Sequence, residues 1–170
     1  LWEHAMQTLT MVVVGTALTM IIGITLGILA ARDRRVSAFL RPLLDFAQTM
    51  PAFVYLVPFL ALFGASRFTA IVAAIVFSAP VAMKIIADGI RGVSPTTVEA
   101  ATAAGSSTWQ LVTKVQLPMA RSAITLATNQ GLIYVLSMVV VGGLVGAAAL
   151  GFDVVAGFSQ GSLFGKGLAA

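Results

Sequence analysis

Four stretches of this sequence carry no charged residue: 5–31, 46–66, 68–83 and 122–152. A helix that crosses a bilayer needs about 20 mostly apolar residues. Three of the stretches reach that length unaided. The stretch 68–83 is extended past Lys84 by Ile85, Ile86 and Ala87, because a lysine near a helix end can snorkel to the headgroups. Spans are therefore predicted over about 8–31, 43–64, 69–89 and 122–148. Only 9% of the residues are charged and 59% are hydrophobic. Soluble domains carry about 25% charged residues, so a water-soluble fold is excluded. The predicted class is all-α, a polytopic transmembrane helix bundle forming one membrane domain over 1–170.

The first apolar stretch is longer than the core of a signal peptide and has only Glu3 and His4 ahead of it. The chain begins at Leu1 and ends in 164–170, which read like the approach to another apolar segment. A piece of a longer protein, with its last core span missing, is the expectation. The sequence has no cysteine and one histidine, His4. Disulfides, thiolate metal sites and cysteine nucleophiles are excluded, and no metal site or His-based catalytic set is expected. The acids are scattered rather than grouped for acid–base work. No phosphate-cradling Gly-x-x-x-x-Gly-Lys-Ser/Thr sequence occurs, so this chain is not expected to bind ATP or any other cofactor, or to act as an enzyme by itself.

The net charge of +4 would suggest nucleic acid in a soluble protein, but here the basic residues flank the spans and set their orientation. Arg32, Arg34, Arg35, Arg41, Lys84, Arg91, Lys114 and Arg121 fall on one side, and Arg67 and Lys166 on the other. Eight against two places the N-terminus and the 65–68 turn outside, and the segment 90–120 in the cytoplasm.

That segment is too polar to span. Ser94-Pro95 reads as a helix start, with the serine capping free amides and the proline at the first helical position. A short helix through Val98–Ala104 is stopped by Gly105. Ser107 and Gln110 have capping-box spacing for a second helix, with Leu111, Val112 and Val115 on one face. Pro118 ends that helix or marks entry to the next span. Two short helices joined by a glycine turn fit a hairpin on the bilayer surface as well as a docking element.

The pattern Glu99-Ala100-Ala101, then Ala104-Gly105, then Val115-x-Leu117-Pro118 resembles the EAA signature of ABC importer permeases, with valine in place of the usual isoleucine. The resemblance implies a type I ABC importer permease (MetI-like) fold: four spans here, plus short cytoplasmic coupling helices. It implies that Glu99, Ala100, Ala101, Ala104, Gly105, Leu117 and Pro118 couple the chain to a separate ATPase that binds ATP and magnesium. It further implies a bacterial inner-membrane location, an extracytoplasmic substrate-binding protein and a second permease copy. The stretch Asp45–Pro58, Lys114–Pro118, Asn129-Gln130 and Leu136–Val140 resemble permeases for glycine betaine and proline betaine. The expected cargo is thus a quaternary ammonium osmoprotectant, with choline, carnitine or methionine as alternatives.

Other residues leave two readings open. Pro51, Pro58 and Pro80 would kink their spans, either for bundle geometry or along a water-filled path. Asn129 and Gln130 lie inside the fourth run, as path residues or as interhelical glue, and Ser137 can bond back to its own helix. The glycines of 142–151 suit a close-packing interface or an irregular outer gate. Gln48 with Pro51, and the aromatic residues Phe46, Phe53, Tyr55 and Tyr134, are further path candidates. Cation–π contact would suit an ammonium group, and packing or an interfacial belt would equally use these rings. Arg41 with Asp45, and Lys84 with Asp88, are spaced for structural i,i+4 pairs. An ATP-independent channel or carrier is the other class considered. Ion-coupled carriers hold ionisable groups in mid-membrane, and this sequence keeps its acids at span edges.

Overall fold

The computed structural model describes residues 2–146 and 150–159. In chain order the helices are α1 (Trp2–Arg32), α2 (Arg34–Thr49), α3 (Ala52–Phe63), α4 (Arg67–Arg91), α5 (Pro95–Ala103) and α6 (Thr108–Gln110). A wider π turn over Leu111–Gln116 follows, then α7 (Leu117–Met119), α8 (Arg121–Leu144) and α9 (Leu150–Ser159). The all-α class is as the sequence predicts. The predicted approach to a further span at 164–170 lies outside the described residues.

α1, α4 and α8 are long and apolar enough to cross a membrane. At 1.5 Å per residue, α4 and α8 each extend about 36–38 Å. The predicted second span, 43–64, is not one helix. It comprises α2 and α3, which meet at a bend of 95°. α3 alone reaches only about 18 Å, short of a hydrocarbon core of about 30 Å. The cause of the break is local. Pro51 lacks an N–H and keeps the preceding residue out of the helical region. Met50 sits at ψ 133° and Pro51 at ψ 146°, both extended. The pair still follows one course along α4. Ser37 meets Arg91, Asp45 meets Lys84, Tyr55 meets Phe77, and Phe63 meets Phe68. Residues 34–63 therefore climb α4 from its Arg91 end to its Arg67 end as a broken fourth span.

α4 is the centre of the bundle and touches α1, α2, α3 and α8. Its contact faces are rich in small residues: Ala70, Ala73, Ala74, Ala79, Ala82 and Ala87 are buried, alongside Met83, Ile86 and Ile90. Lipid tails are as apolar as leucine, so helix association in a membrane relies on close backbone approach rather than on apolar transfer. Gly89 shows how close that approach is, since a Cβ built there would stand 2.2 Å from the Ala123 Cβ on α8. One core cluster joins Met11, Leu56, Ala73, Val135 and Met138 toward the Arg67 end, and a second joins Ala82, Ile86, Ile90, Ala120 and Ala127 toward the other. Between them Thr19 of α1 and Ser78 of α4, both fully buried, share a hydrogen bond of 2.6 Å.

The two i,i+4 ion pairs read from spacing are replaced by other partners. Lys84 Nζ reaches across to Asp45 at 2.6 Å, and Asp88 pairs with Arg91 at 3.0 Å. A cross-helix partner on α2 draws Lys84 away from its own helix neighbour.

Candidate functional site

The polar segment after α4 folds as a helix, a glycine turn and a second short helical run, on the Arg91 end of the bundle. Ser94 precedes α5, and Pro95 takes the first helical position. The predicted serine cap is absent: the Ser94 hydroxyl bonds the Thr96 hydroxyl at 2.6 Å instead of a backbone amide. The stop at the other end is as predicted. Gly105 has φ +81°, the left-handed region that glycine enters at no steric cost. Its N–H donates to Thr102 O at 3.0 Å, and the Ser106 N–H donates to Ala101 O at 3.1 Å. These two bonds make a Schellman closure, which satisfies carbonyls that the helix end would otherwise leave free.

The capping box also forms as read. Ser107 N–H donates to Gln110 Oε1 at 2.9 Å, and Gln110 N–H donates to Ser107 Oγ at 3.3 Å. The helix that follows departs from the predicted α register. Over Leu111–Gln116 the turn widens, and the Leu117 N–H donates to Val112 O, five residues back. Pro118 supplies the reason. Its ring clashes with the carbonyl four residues earlier in an α-helix and it donates no hydrogen bond. A wider turn just ahead of it relieves both defects. Of the three residues expected on one face, only Val112 is buried, while Leu111 and Val115 are half-buried. Pro118 lies in α7, and Ala120 at φ −84°, ψ 10° separates that turn from α8.

α5 packs on the π turn, and Arg32 at the end of α1 donates to Thr108 O at 3.2 Å. The first contact closes the segment on itself, and the second ties it to α1. Glu99, Ala100, Ala104, Gly105 and Pro118 are exposed, and Ala101 and Leu117 are half-buried. A face of alanines and a glycine offers backbone-close contact to a partner. Trp109, on the same segment, is 74% exposed and belongs to no motif or periodic pattern.

The candidate path residues divide. Gln48, Pro51 and Phe53 are exposed around the α2–α3 break. Tyr55 is buried, its hydroxyl donates to Ala47 O across the break, and its ring lies 5.3 Å from Phe77. Phe77 in turn lies 5.2 Å from Tyr134, so three helices meet in one aromatic chain. In sequence, nothing near Phe77 distinguishes it from a lipid-facing aromatic. Asn129 is exposed and Gln130 half-buried on α8. Neither makes a hydrogen bond among the described residues, so the glue role falls to Thr19 and Ser78. Ser137 donates to Ile133 O at 2.8 Å on its own helix, as expected.

Of the glycine-rich stretch 142–151, residues 147–149 lie outside the described residues, and the glycines on either side pack closely. Gly142 and Gly143 are buried, and a Cβ on Gly143 would stand 2.7 Å from the Gly151 Cα on α9. Near this end, His4 Nδ1 and Asp153 Oδ2 lie 2.5 Å apart, and the Leu150 N–H donates to Thr8 Oγ1 at 3.2 Å. The pair is 149 residues apart in sequence, and no spacing rule could have joined it.

Residues 23–164 match the model of the binding-protein-dependent transport system inner membrane component. The chain is 44% identical over 153 residues to the glycine betaine/carnitine transport permease protein GbuB of Listeria monocytogenes serotype 1/2a (strain 10403S), covering 90% of this chain and 54% of that protein. It is 40% identical to the glycine betaine/proline betaine transport system permease protein ProW of Escherichia coli (strain K12), over 94% of this chain and 45% of that one. It is 37% identical to the glycine betaine transport system permease protein OpuAB of Bacillus subtilis (strain 168), over 94% and 56%. The chain spans about half the length of these curated relatives. A chain of the MetNI methionine ABC transporter, solved in inward-facing conformations, superposes with TM-score 0.80 at 26% identity, over 96% of this chain and 83% of that one.

Proposed function

Because this chain belongs to the family of binding-protein-dependent transport system inner membrane components, a family of multi-pass membrane permeases, we propose that it is the permease subunit of an ATP-driven importer for quaternary ammonium osmoprotectants such as glycine betaine and proline betaine. The observation that carries the coupling role is the exposed, internally closed element 94–118. A short helix with an ordered Schellman end transmits force without first having to fold. Glu99, Ala100, Ala101, Ala104 and Gly105 form the surface that a separate ATPase subunit grips, and Leu117 and Pro118 join that surface to α8. ATP and magnesium are bound by that ATPase and not by this chain, which is non-catalytic. The bias of the basic residues supports an N-terminus outside and the 94–118 element in the cytoplasm.

The names of the relatives support the cargo: three permeases described for glycine betaine match 90–94% of this chain. A second copy of the permease completes the path, and an extracytoplasmic binding protein delivers the cargo. The test is reconstitution of the full-length protein with its ATPase and binding protein in proteoliposomes. Uptake of labelled glycine betaine is expected only with ATP inside the compartment that holds the ATPase. Uptake of equal rate without ATP would assign the chain to the channel and carrier class instead. Competition by choline, carnitine and methionine ranks the cargo.

A further inference from the structure

Resting on the reading of this chain as a permease for quaternary ammonium solutes, we propose that the α2–α3 break is a cation station on the translocation path, built from backbone carbonyls at the C-terminal end of α2. Around the break the acceptors fall into two groups. The Phe46 carbonyl accepts the Thr49 hydroxyl at 2.8 Å. The Ala47 carbonyl accepts the Met50 N–H and the Tyr55 hydroxyl, and the Pro51 carbonyl accepts the Val54 N–H. The three carbonyls between them, those of Gln48, Thr49 and Met50, find no donor among the described residues. Pro51 has no N–H to offer, and the extended conformation at 50–51 carries the amides of α3 out of reach. Gln48, Thr49 and Pro51 are exposed, and Met50 is half-buried.

Three successive unpartnered carbonyls within a span are incompatible with hydrocarbon. Non-helical backbone at membrane depth is tolerated where it is covered by protein or lines a polar path. The end of α2 adds to their potential, because a helix C-terminus carries roughly half a negative elementary charge. A quaternary ammonium group donates no hydrogen bond through its nitrogen, so it responds to diffuse negative potential from carbonyl dipoles and to the faces of aromatic rings. Both are present here. Phe46 and Phe53 flank the break and are exposed, and Tyr55 is fixed to Ala47 with its ring against Phe77. The nearest carboxylate in sequence, Asp45, is held by Lys84 at 2.6 Å. A station of dipoles without a free carboxylate holds a cation weakly enough to release it, which conduction requires.

The experiment uses the full-length permease with its ATPase and binding protein in proteoliposomes. It reads uptake of labelled glycine betaine alongside ATP hydrolysis stimulated by the loaded binding protein. Uptake by the wild type tests the permease reading itself, and its absence overturns both proposals. With wild-type uptake in hand, a positive charge is placed at the station. Gln48→Lys is expected to take up betaine at least about tenfold more slowly than the uncharged, similarly sized Gln48→Met, with stimulated hydrolysis retained in both. Equal uptake in the two variants overturns the station and leaves the permease reading standing. Pro51→Ala, which lets the helix continue and pairs the carbonyls, is expected to lose uptake while keeping hydrolysis. Pro58→Ala, inside α3, is expected to behave as wild type. Wild-type uptake in Pro51→Ala, or equal losses in the two proline variants, overturns the station as well.

Discussion

Gly105 is the residue on which the 94–118 element turns. Its φ of +81° costs an L-residue roughly 1–2 kcal/mol, and nothing lies within 4 Å of a Cβ built there. The strain of a larger residue is therefore conformational rather than steric. Gly105→Leu is expected to loosen the Schellman closure and to uncouple ATP hydrolysis from uptake, while membrane insertion stays at the wild-type level. Hydrolysis and uptake measured on the same proteoliposomes check this, and unchanged uptake would remove the turn from the docking surface. The Thr19–Ser78 bond is the complementary case, since it affects stability and not coupling. Interhelical hydrogen bonds in membranes contribute about 0.6 kcal/mol on average and up to about 1.7. Ser78 also has the Ile75 carbonyl within 3.4 Å as a second acceptor. Thr19→Val is expected to cost about 0.6–1.7 kcal/mol, read by unfolding in mixed micelles, with a double cycle against Ser78→Ala returning the coupling. At this scale Gly105 and the Ser107–Gln110 box could be read from residue type and spacing, because both are local backbone devices. The Thr19–Ser78 pair could not, since it joins positions 59 apart whose meeting depends on how α1 crosses α4.

Among the elements, α2 and α3 depart most from expectation. Hydropathy predicts a single span over 43–64 because a sliding count of apolar residues does not register one missing amide. Pro51 is visible in sequence, but proline inside a span kinks some helices and breaks others. Pro58 and Pro80 remain inside α3 and α4. The outcome at Pro51 depends on what satisfies the freed groups, and Tyr55 reaching back to Ala47 does part of this. The π turn ahead of Pro118 follows the same logic with a milder result. Helix contact supplies another prediction. The Gly89–Ala123 approach leaves no room for a methyl group, so Gly89→Ala is expected to destabilise the α4–α8 contact by about 1–3 kcal/mol. Partial recovery in Gly89→Ala with Ala123→Gly would show that the cause is this contact.

For the whole molecule, orientation is the consequence of the basic residues that is most directly checked. These 170 residues hold no cysteine, so in a protein with no cysteine elsewhere a single introduced thiol reports its own side of the membrane. In cells, Ser106→Cys is expected to react with a membrane-impermeant maleimide only after the membrane is opened, and Ala65→Cys to react before. The reverse pattern would invert the bundle and place the 94–118 element outside, away from any ATPase. The sequence by itself determined the apolar spans, the side on which the basic residues gather, and the helix–glycine–helix plan of 94–118. Each of these follows from solvation or from local backbone chemistry, which a one-dimensional pattern carries. Only the tertiary structure decided that the second span is broken, that Lys84 pairs with Asp45 rather than Asp88, and that Tyr55, Phe77 and Tyr134 form one chain. These depend on which helix faces reach each other, and that is set by close approach at small residues along α4.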